Sequence, residues 1–319
     1  MRISVVHPEA KRVGGDGVRA AGMKTDGNGW VHCAQGHRHW GRFGAAGLLI
    51  VDEGQAVLQH RAPWTHEGDT WGLPGGARDS HEDVVAAALR EAYEEGEIPS
   101  DAVTPLGWWR DDHGGWSYTT IVAQPCGGIT PHAANAESTE IRWWPVGDID
   151  RLPLHRGFAA AWPRLRHPPA RLVLVVDAAN VVGSRPDGWW HDRLGAARRL
   201  RDQLGGVARD GIETPTLPHG VSAGALDGLL PEIRLVVEGA ARPLAGEPAG
   251  DNWWDTAVTV VAARHDGDTA VVETAAVAAA AGHQTIVVSA DRGLRRRLVD
   301  GAQTAGPTWL FEQLAPAAT

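Results

Sequence analysis

The sequence predicts an α/β protein of two units: an α/β/α sandwich with a mixed sheet, then a three-layer α/β domain with a mainly parallel sheet. Three observations predict it. Between 43 and 144, apolar strand-like runs surround one helical segment, the order expected of a mixed sandwich. Beyond 171, four continuous apolar runs alternate with helical segments, as buried parallel strands do. Between the two lies Arg166-His167-Pro168-Pro169-Ala170, whose paired prolines block both helix and sheet ladders. A chain of 319 residues, 43% of them hydrophobic, suits two domains of about 100–200 residues each.

Taken in order, residues 1–40 are rich in glycine, histidine and polar groups and read as an extension with little regular structure. The first domain spans 41–166. FGAAGLLIVD and AVLQHR are strands separated by a turn at Asp52-Glu53-Gly54. A helix is expected over about 81–95, and strands over 104–110, 117–124 and 140–144. The second domain spans 171–319. Its strands are LVLVVD (172–177), RLVVE (234–238), VTVVAA (258–263) and TIVVSAD (285–291). Its helices are expected at about 190–204, 269–282 and 291–299.

The net charge of −9 argues against a general DNA-coating role, since proteins living on long nucleic acid are usually basic. A local basic groove is compatible with it. No apolar run is long enough for a transmembrane helix, and the N-terminus lacks the apolar core of a signal peptide. The two cysteines, Cys33 and Cys126, make no disulfide framework. A cytoplasmic protein with no membrane partner is expected, and a homodimer is compatible with the sequence.

The richest segment is WGLPGGARDSHEDVVAAALREAYEEGEI, residues 71–98. Ser80 and Asp83 have capping-box spacing, so a helix should begin there. Val84, Val85, Ala88, Leu89 and Ala92 form an apolar stripe at helical spacing. Glu91, Glu94 and Glu95 stand at i, i+3 and i+4, on one face. Carboxylates crowded in this way repel one another without a counter-ion, and hard oxygen ligands suit Mg2+ or Mn2+. Arg90 can hold a carboxylate in register through its planar fork, with Glu82 as the expected partner. A merely solvated acidic helix face would not also need the Gly75-Gly76 turn in front of it.

From Gly76 the spacing runs five residues, Glu82, seven residues, Arg90-Glu91-Ala92, one residue, Glu94-Glu95. It resembles the Nudix signature, G-x5-E-x7-R-E-U-x-E-E-x-G-U, where U is a bulky apolar residue. The signature's last glycine falls on Glu97, with Gly96 one place early, and Ala92 is small for an apolar slot. With GRFGAAGLLIVD, YTTIVAQP and ESTEIRWWPVGDIDRLPLHRGF, the segment looks like a MutT-like Nudix domain of actinobacterial type over roughly 41–166. The resemblance implies a metal-dependent phosphoanhydride hydrolase acting on a nucleotide. It implies a metal held by Glu91, Glu94 and Glu95 and by a backbone carbonyl, for which Gly76 is the matching position. It implies a further glutamate beyond the box as ligand or base; Glu140 is the first candidate and Glu137 the second. Several tryptophans could stack on a base, although most suit packing better.

Cys33, His37 and His39 crowd together in HCAQGHRHWG. Zinc needs about four ligands. His32 could be the fourth, at a cramped spacing; the alternative is a polar edge that packs Trp40 on the domain.

In the second domain Asp177 ends a strand before Ala178-Ala179-Asn180, Asp268 opens a helix, and Asp291 ends another strand. Acids at the carboxyl ends of parallel strands fall where α/β sheets place ligands, and three could share a divalent ion. Aspartates also cap helices that follow strands. The pattern resembles the NYN domains, relatives of PIN nucleases, and their YacP-like branch, over about 171–312. That resemblance implies a metal-dependent ribonuclease site at Asp177, Asn180, Asp268 and Asp291, with Glu238 a further acid and Asp266 an alternative to Asp268. Arg292, Arg295 and Arg296, like Arg193, Arg198, Arg199 and Arg201, could hold phosphates of an RNA partner. Trp189 and Trp190 could stack on a single-stranded base.

Together these readings predict a Nudix pyrophosphohydrolase acting on a nucleoside triphosphate or related diphosphate, fused to a nuclease-like domain. An RNA-processing enzyme that trims 5′ ends and cuts RNA, and a non-catalytic C-terminal binding module, are the alternatives.

Overall fold

The computed structural model describes residues 26–186 and 188–314. The expectation for residues 1–25 lies outside the described residues. Residues 26–40 depart from a structureless extension: β1 (Trp30–His32) and β2 (Arg38–Trp40) pair as an antiparallel hairpin.

The first sheet is built from β3 (Ala45–Asp52), β4 (Gln55–Arg61), β5 (Trp71–Gly72), β6 (Gly75–Ala77), β7 (Val103–Asp112), β8 (Ser117–Pro125) and β9 (Ser138–Pro145). β3 runs parallel to β8, and every other pairing among these strands is antiparallel, so the sheet is mixed. β3 is buried on both faces because side chains alternate across the pleat. Ala46, Leu48 and Ile50 face α1 (Val84–Gly96), against Val85, Ala88, Leu89 and Ala92. Leu49 and Val51 face α2 (Arg156–Leu165), against Phe158, Ala161, Trp162 and Leu165. Each large apolar side chain taken fully from water contributes roughly 1.5–3 kcal/mol, so the stripe of α1 fixes which helix face remains for chemistry.

α1 starts later than its capping-box spacing suggested. Its cap is Asp83, whose carboxylate accepts from the backbone N–H groups of Val85 and Ala86. Ser80 instead bonds Asp26 through both its backbone N–H and its hydroxyl. An aspartate at the N-cap satisfies the second and third helical N–H groups by itself, without a capping box.

The second sheet holds β10 (Leu172–Asp177), β13 (Glu232–Val237), β14 (Val258–Ala262), β15 (Gln284–Val288) and β16 (Gln303–Ala305), all parallel, in the order β14-β13-β10-β15-β16. Its helices are α3 (Ala178–Gly183), α4 (Arg193–Asp210), α5 (Trp253–Thr256), α6 (Gly267–Ala280), α7 (Arg292–Arg295) and α8 (Pro307–Leu314). α4 covers one face through Ala197, Leu200, Leu204 and Val207. α6 covers the other through Val271, Ala275 and Ala278. The expected helix over 291–299 is one turn, α7, and β16 and α8 follow it.

The two units share a sheet and a core. β11 (Ile212–Glu213) and β12 (Gly228–Leu229) come from the second unit yet extend the first sheet, with β12 antiparallel to β7. Gly211 and Gly228 make this junction: a Cβ on either would approach Trp108 to 2.2 Å. One cluster of buried side chains runs from Leu49, Leu106 and Trp162 to Leu172, Leu204 and Leu229. Such a seam is more hydrophobic than most interfaces between mobile domains.

Candidate active site

The turn at β6 and the outward face of α1 place the first site. Arg90 is its hub. Its Nε and Nη2 donate to the two Glu82 oxygens at 2.7 and 3.0 Å, Nη2 also reaches the Ala77 carbonyl at 2.9 Å, and Nη1 reaches Glu91 at 2.8 Å and Glu94 at 3.4 Å. Burial alone would raise the Glu82 carboxyl, but the Arg90 guanidinium and the Asp79 N–H outweigh it and hold Glu82 below the usual carboxylate range. The Arg90 pKa is raised, chiefly by the Glu82 hydrogen bond.

Glu91 and Glu95 flank the turn from below. A Cβ on Gly76 would fall 2.6 Å from Glu91 Oε1, so a side chain there would push that carboxylate from its place. Glu95 is 3% exposed and accepts from the Gly75 N–H at 2.8 Å. Burial pushes its carboxyl up to about 7; the Gln59 side-chain hydrogen bond opposes this, and the neighbouring Glu91 charge adds to it. Burial also raises Glu91; Arg90 works against this, while the charges of Glu94 and Glu137 reinforce it. Glu94 is half exposed.

This donor set fits a divalent cation. Buried acids that raise one another's pKa values are relieved by a positive ion, and all the atoms offered are hard oxygens. Gln59 was missed by the sequence reading. It is buried in β4, and its Nε2 donates to Ser138 Oγ at 2.7 Å. A polar residue inside an otherwise apolar strand was the available signal. Of the two glutamates beyond the box, Glu137 is the one whose charge acts on Glu91. Glu140 sits on β9 opposite His60 and pairs with Arg142 at 3.3 Å on the exposed side.

The signature's displaced glycine has a structural counterpart. Glu97 caps the C-terminus of α1 at φ +48° and ψ +36°, its N–H reaching the Ala92 and Tyr93 carbonyls. This left-handed position is the one glycine normally fills.

At the carboxyl edge of the parallel sheet, Asp177 accepts from the Asn180 N–H and the Ser289 hydroxyl at 3.1 and 2.9 Å. Burial raises its pKa, and the charges of Asp268 and Glu238 add to this. Asp268 is raised by burial and by Asp291. Four acids from four chain segments therefore share one electrostatic neighbourhood. Asn180 Oδ1 accepts from the Ala290 N–H at 2.7 Å, bracing the strand ends. Asp266 is committed as the cap of α6, and Glu238 accepts from the Gly267 N–H. The arginines divide. Arg292 and Arg296 are exposed. Arg295 is not available for phosphate, because its guanidinium donates to the Ser289 and Ala305 carbonyls at 2.7 and 3.0 Å. Arg198 and Arg201 are engaged with Glu247.

A glutamate-bearing helix under a glycine turn, packed on a mixed sheet between two helices, defines the class as a phosphoanhydride hydrolase of Nudix type. Comparison with known proteins agrees, and the chain belongs to the Nudix family: the NUDIX domain model matches residues 41–165. A putative 8-oxo-dGTP diphosphatase 3 of Mycobacterium tuberculosis is 47% identical over 165 residues, covering 48% of this chain and 75% of that protein. A nucleoside triphosphate pyrophosphatase/Nudix hydrolase fusion protein of Bifidobacterium longum is 42% identical over 147 residues, 43% of this chain and 30% of that one. Among solved structures, a Nudix hydrolase from M. smegmatis is 44% identical, covers 44% of this chain and 93% of its own, and has a TM-score of 0.41. Nudix enzymes generally use divalent metals such as Mg2+ and act on nucleotide substrates. Among the described residues, no helix is long and apolar enough to cross a membrane.

Proposed function

We propose that the chain is a Mg2+- or Mn2+-dependent pyrophosphohydrolase of nucleoside triphosphates, oxidised guanine nucleotides among them. The observation that carries this is the Arg90 fork, which holds Glu82, Glu91 and Glu94 in one network beside Glu95 and Gly76. Gly76, Glu91, Glu94 and Glu95 would hold the ion. Bound there, a divalent ion would neutralise the diphosphate and lower the pKa of an attacking water. Arg90 keeps Glu82 ionised and Glu91 in register. The Gly75 N–H and Gln59 orient Glu95. Glu94, held only at 3.4 Å, and the exposed Glu137 stand on the solvent side where substrate and water enter. The name of the M. tuberculosis relative supports the oxidised-guanine substrate.

The test is a panel of nucleotides and 5′-labelled RNAs with Mg2+ or Mn2+. Glu94→Gln should lower pyrophosphate release by about 10²–10⁴-fold. Unchanged release in that variant removes the reading.

A second reading, of an RNA-processing enzyme, is favoured by the convergence of Asp177, Asp268, Asp291 and Glu238 at the carboxyl edge of a parallel sheet. Metal-dependent RNA cleavage that disappears in a folded Asp177→Asn variant supports it. No cleavage by the wild type over a range of RNAs and metals favours a C-terminal binding module.

A further inference from the structure

Outside both acid clusters, the hairpin β1–β2 and the tip of the β7–β8 hairpin meet. Cys33, His37 and His39 come from the first, and His113 from the second. Each offers one ligand atom, and all four atoms lie within 4.8 Å of one another. Zinc bonds of about 2.3 Å to sulfur and 2.0 Å to nitrogen would draw such atoms to roughly 3.3–3.6 Å apart, so modest side-chain movement closes the set.

Two buried imidazole nitrogens here have no hydrogen-bond partner, His39 Nε2 and His113 Nδ1. An unpaired buried polar atom costs about 1–3 kcal/mol, which neither ring offsets within the protein. The other His113 nitrogen, Nε2, lies 3.1 Å from Asp111 Oδ2. Donating its proton there leaves the Nδ1 lone pair for the cluster, the carboxylate–histidine arrangement that orients metal-bound imidazoles. His39 is fixed by stacking on Trp116, with ring centroids 3.9 Å apart and planes 10° from parallel. A backbone bond also joins the two hairpins' loops, Ala34 N–H donating to the Gly114 carbonyl at 2.7 Å, while Cys33 N–H donates to the His37 carbonyl at 3.0 Å within the first loop.

We infer that Cys33, His37, His39 and His113 form a structural zinc site that fastens the N-terminal hairpin to the Nudix domain. Thiolate and imidazole ligands select zinc over the Mg2+ suited to the glutamate helix, and four protein ligands leave no open position for a reacting water. His32 takes no part. It is exposed, opposite Arg38 in the hairpin. Trp40 is 44% exposed and meets Trp30 edge-on within the hairpin. Two three-residue strands are marginal without further support, and the metal would supply it.

The experiment uses the full chain without an affinity tag, purified without chelator. Elemental analysis should find about one zinc per chain. Exchange for cobalt should give a thiolate-to-cobalt charge-transfer band that survives in Glu94→Gln and vanishes in Cys33→Ser. His113→Ala should weaken zinc at least about tenfold, and His32→Ala should leave the stoichiometry unchanged. A strong chelator should lower Tm, with recovery on adding zinc but not Mg2+. A wild-type chain that neither carries zinc nor gives a cobalt band overturns the site, whatever the variants do. A band that persists in Cys33→Ser also overturns it.

Discussion

The two acid clusters are assembled in opposite ways. On α1, Glu91, Glu94 and Glu95 come from one turn and a half of helix, and Arg90 from the same helix ties Glu91 and Glu94 to Glu82. At the parallel sheet, Asp177, Glu238, Asp268 and Asp291 arrive from separate segments, and among the described residues the guanidinium contact to them is Arg297 to Asp268 at 3.9 Å. The first cluster is a network that fails if its hub is removed. The second is mutual repulsion limited by hydrogen bonds to Asp177. Removing one member should therefore have opposite effects at the two sites.

The largest effect should come from the hub. Arg90→Met leaves Glu82 and Glu91 without their cation in a poorly hydrated setting. Breaking a fully buried pair costs about 3–5 kcal/mol. Because Arg90 retains 24% side-chain exposure, a loss of about 2–3 kcal/mol is expected in urea unfolding. A loss below about 0.5 kcal/mol, the range of ordinary surface changes, would dissolve the contrast.

Next is pH. Glu95 is pushed up to about 7 by burial, above the ordinary glutamate value it has when unfolded. The folded state thus binds its proton more tightly. Its stabilising contribution is complete below the unfolded pKa and lost as pH rises through about 7. Metal-free protein should lose on the order of 1–2 kcal/mol between about pH 5 and 8. Mg2+ should restore more stability at the upper end, which thermal melts at both values with and without the ion will show.

At the second cluster the sign reverses. Asp177→Asn removes a charge whose pKa is raised by burial and by Asp268 and Glu238, while its oxygen can still accept from Asn180. Metal-free stability near neutral pH should rise by up to about 1 kcal/mol. Destabilisation beyond that amount would mean Asp177 is a structural cap alone.

The smallest effect sharpens the first site only. Glu97→Gly relieves a left-handed residue at φ +48° and should stabilise the protein by about 0.5–1 kcal/mol. The midpoint of denaturant unfolding should rise with no change in slope.

Legibility follows the same divide. Glu91, Glu94 and Glu95 are legible because helical spacing puts them on one side of α1, and Glu82 and Arg90 because their spacing matches the signature. Even there the cap is Asp83 and not Ser80, since both residue types cap helices and Asp26, 54 positions away, claims the serine. Cys33, His37 and His39 were visible as a cramped trio, but the expected fourth histidine was a neighbour in sequence. His113 lies far along the chain, and only the meeting of two hairpins brings it in.

By itself the sequence determined the principal strands and helices of both units and the glutamate face of α1, because periodicity and spacing act over one or two helical turns; the short β1–β2 hairpin, β16 and α8 carry no such pattern. The parallel strands were equally plain, since runs such as LVLVVD can only be buried. Tertiary structure alone decided the rest. It joined the two units through β12 and Trp108, it spent Arg295 on backbone carbonyls, and it placed His113 beside Cys33. Each is a contact between segments far apart in sequence, set by packing that no local pattern encodes.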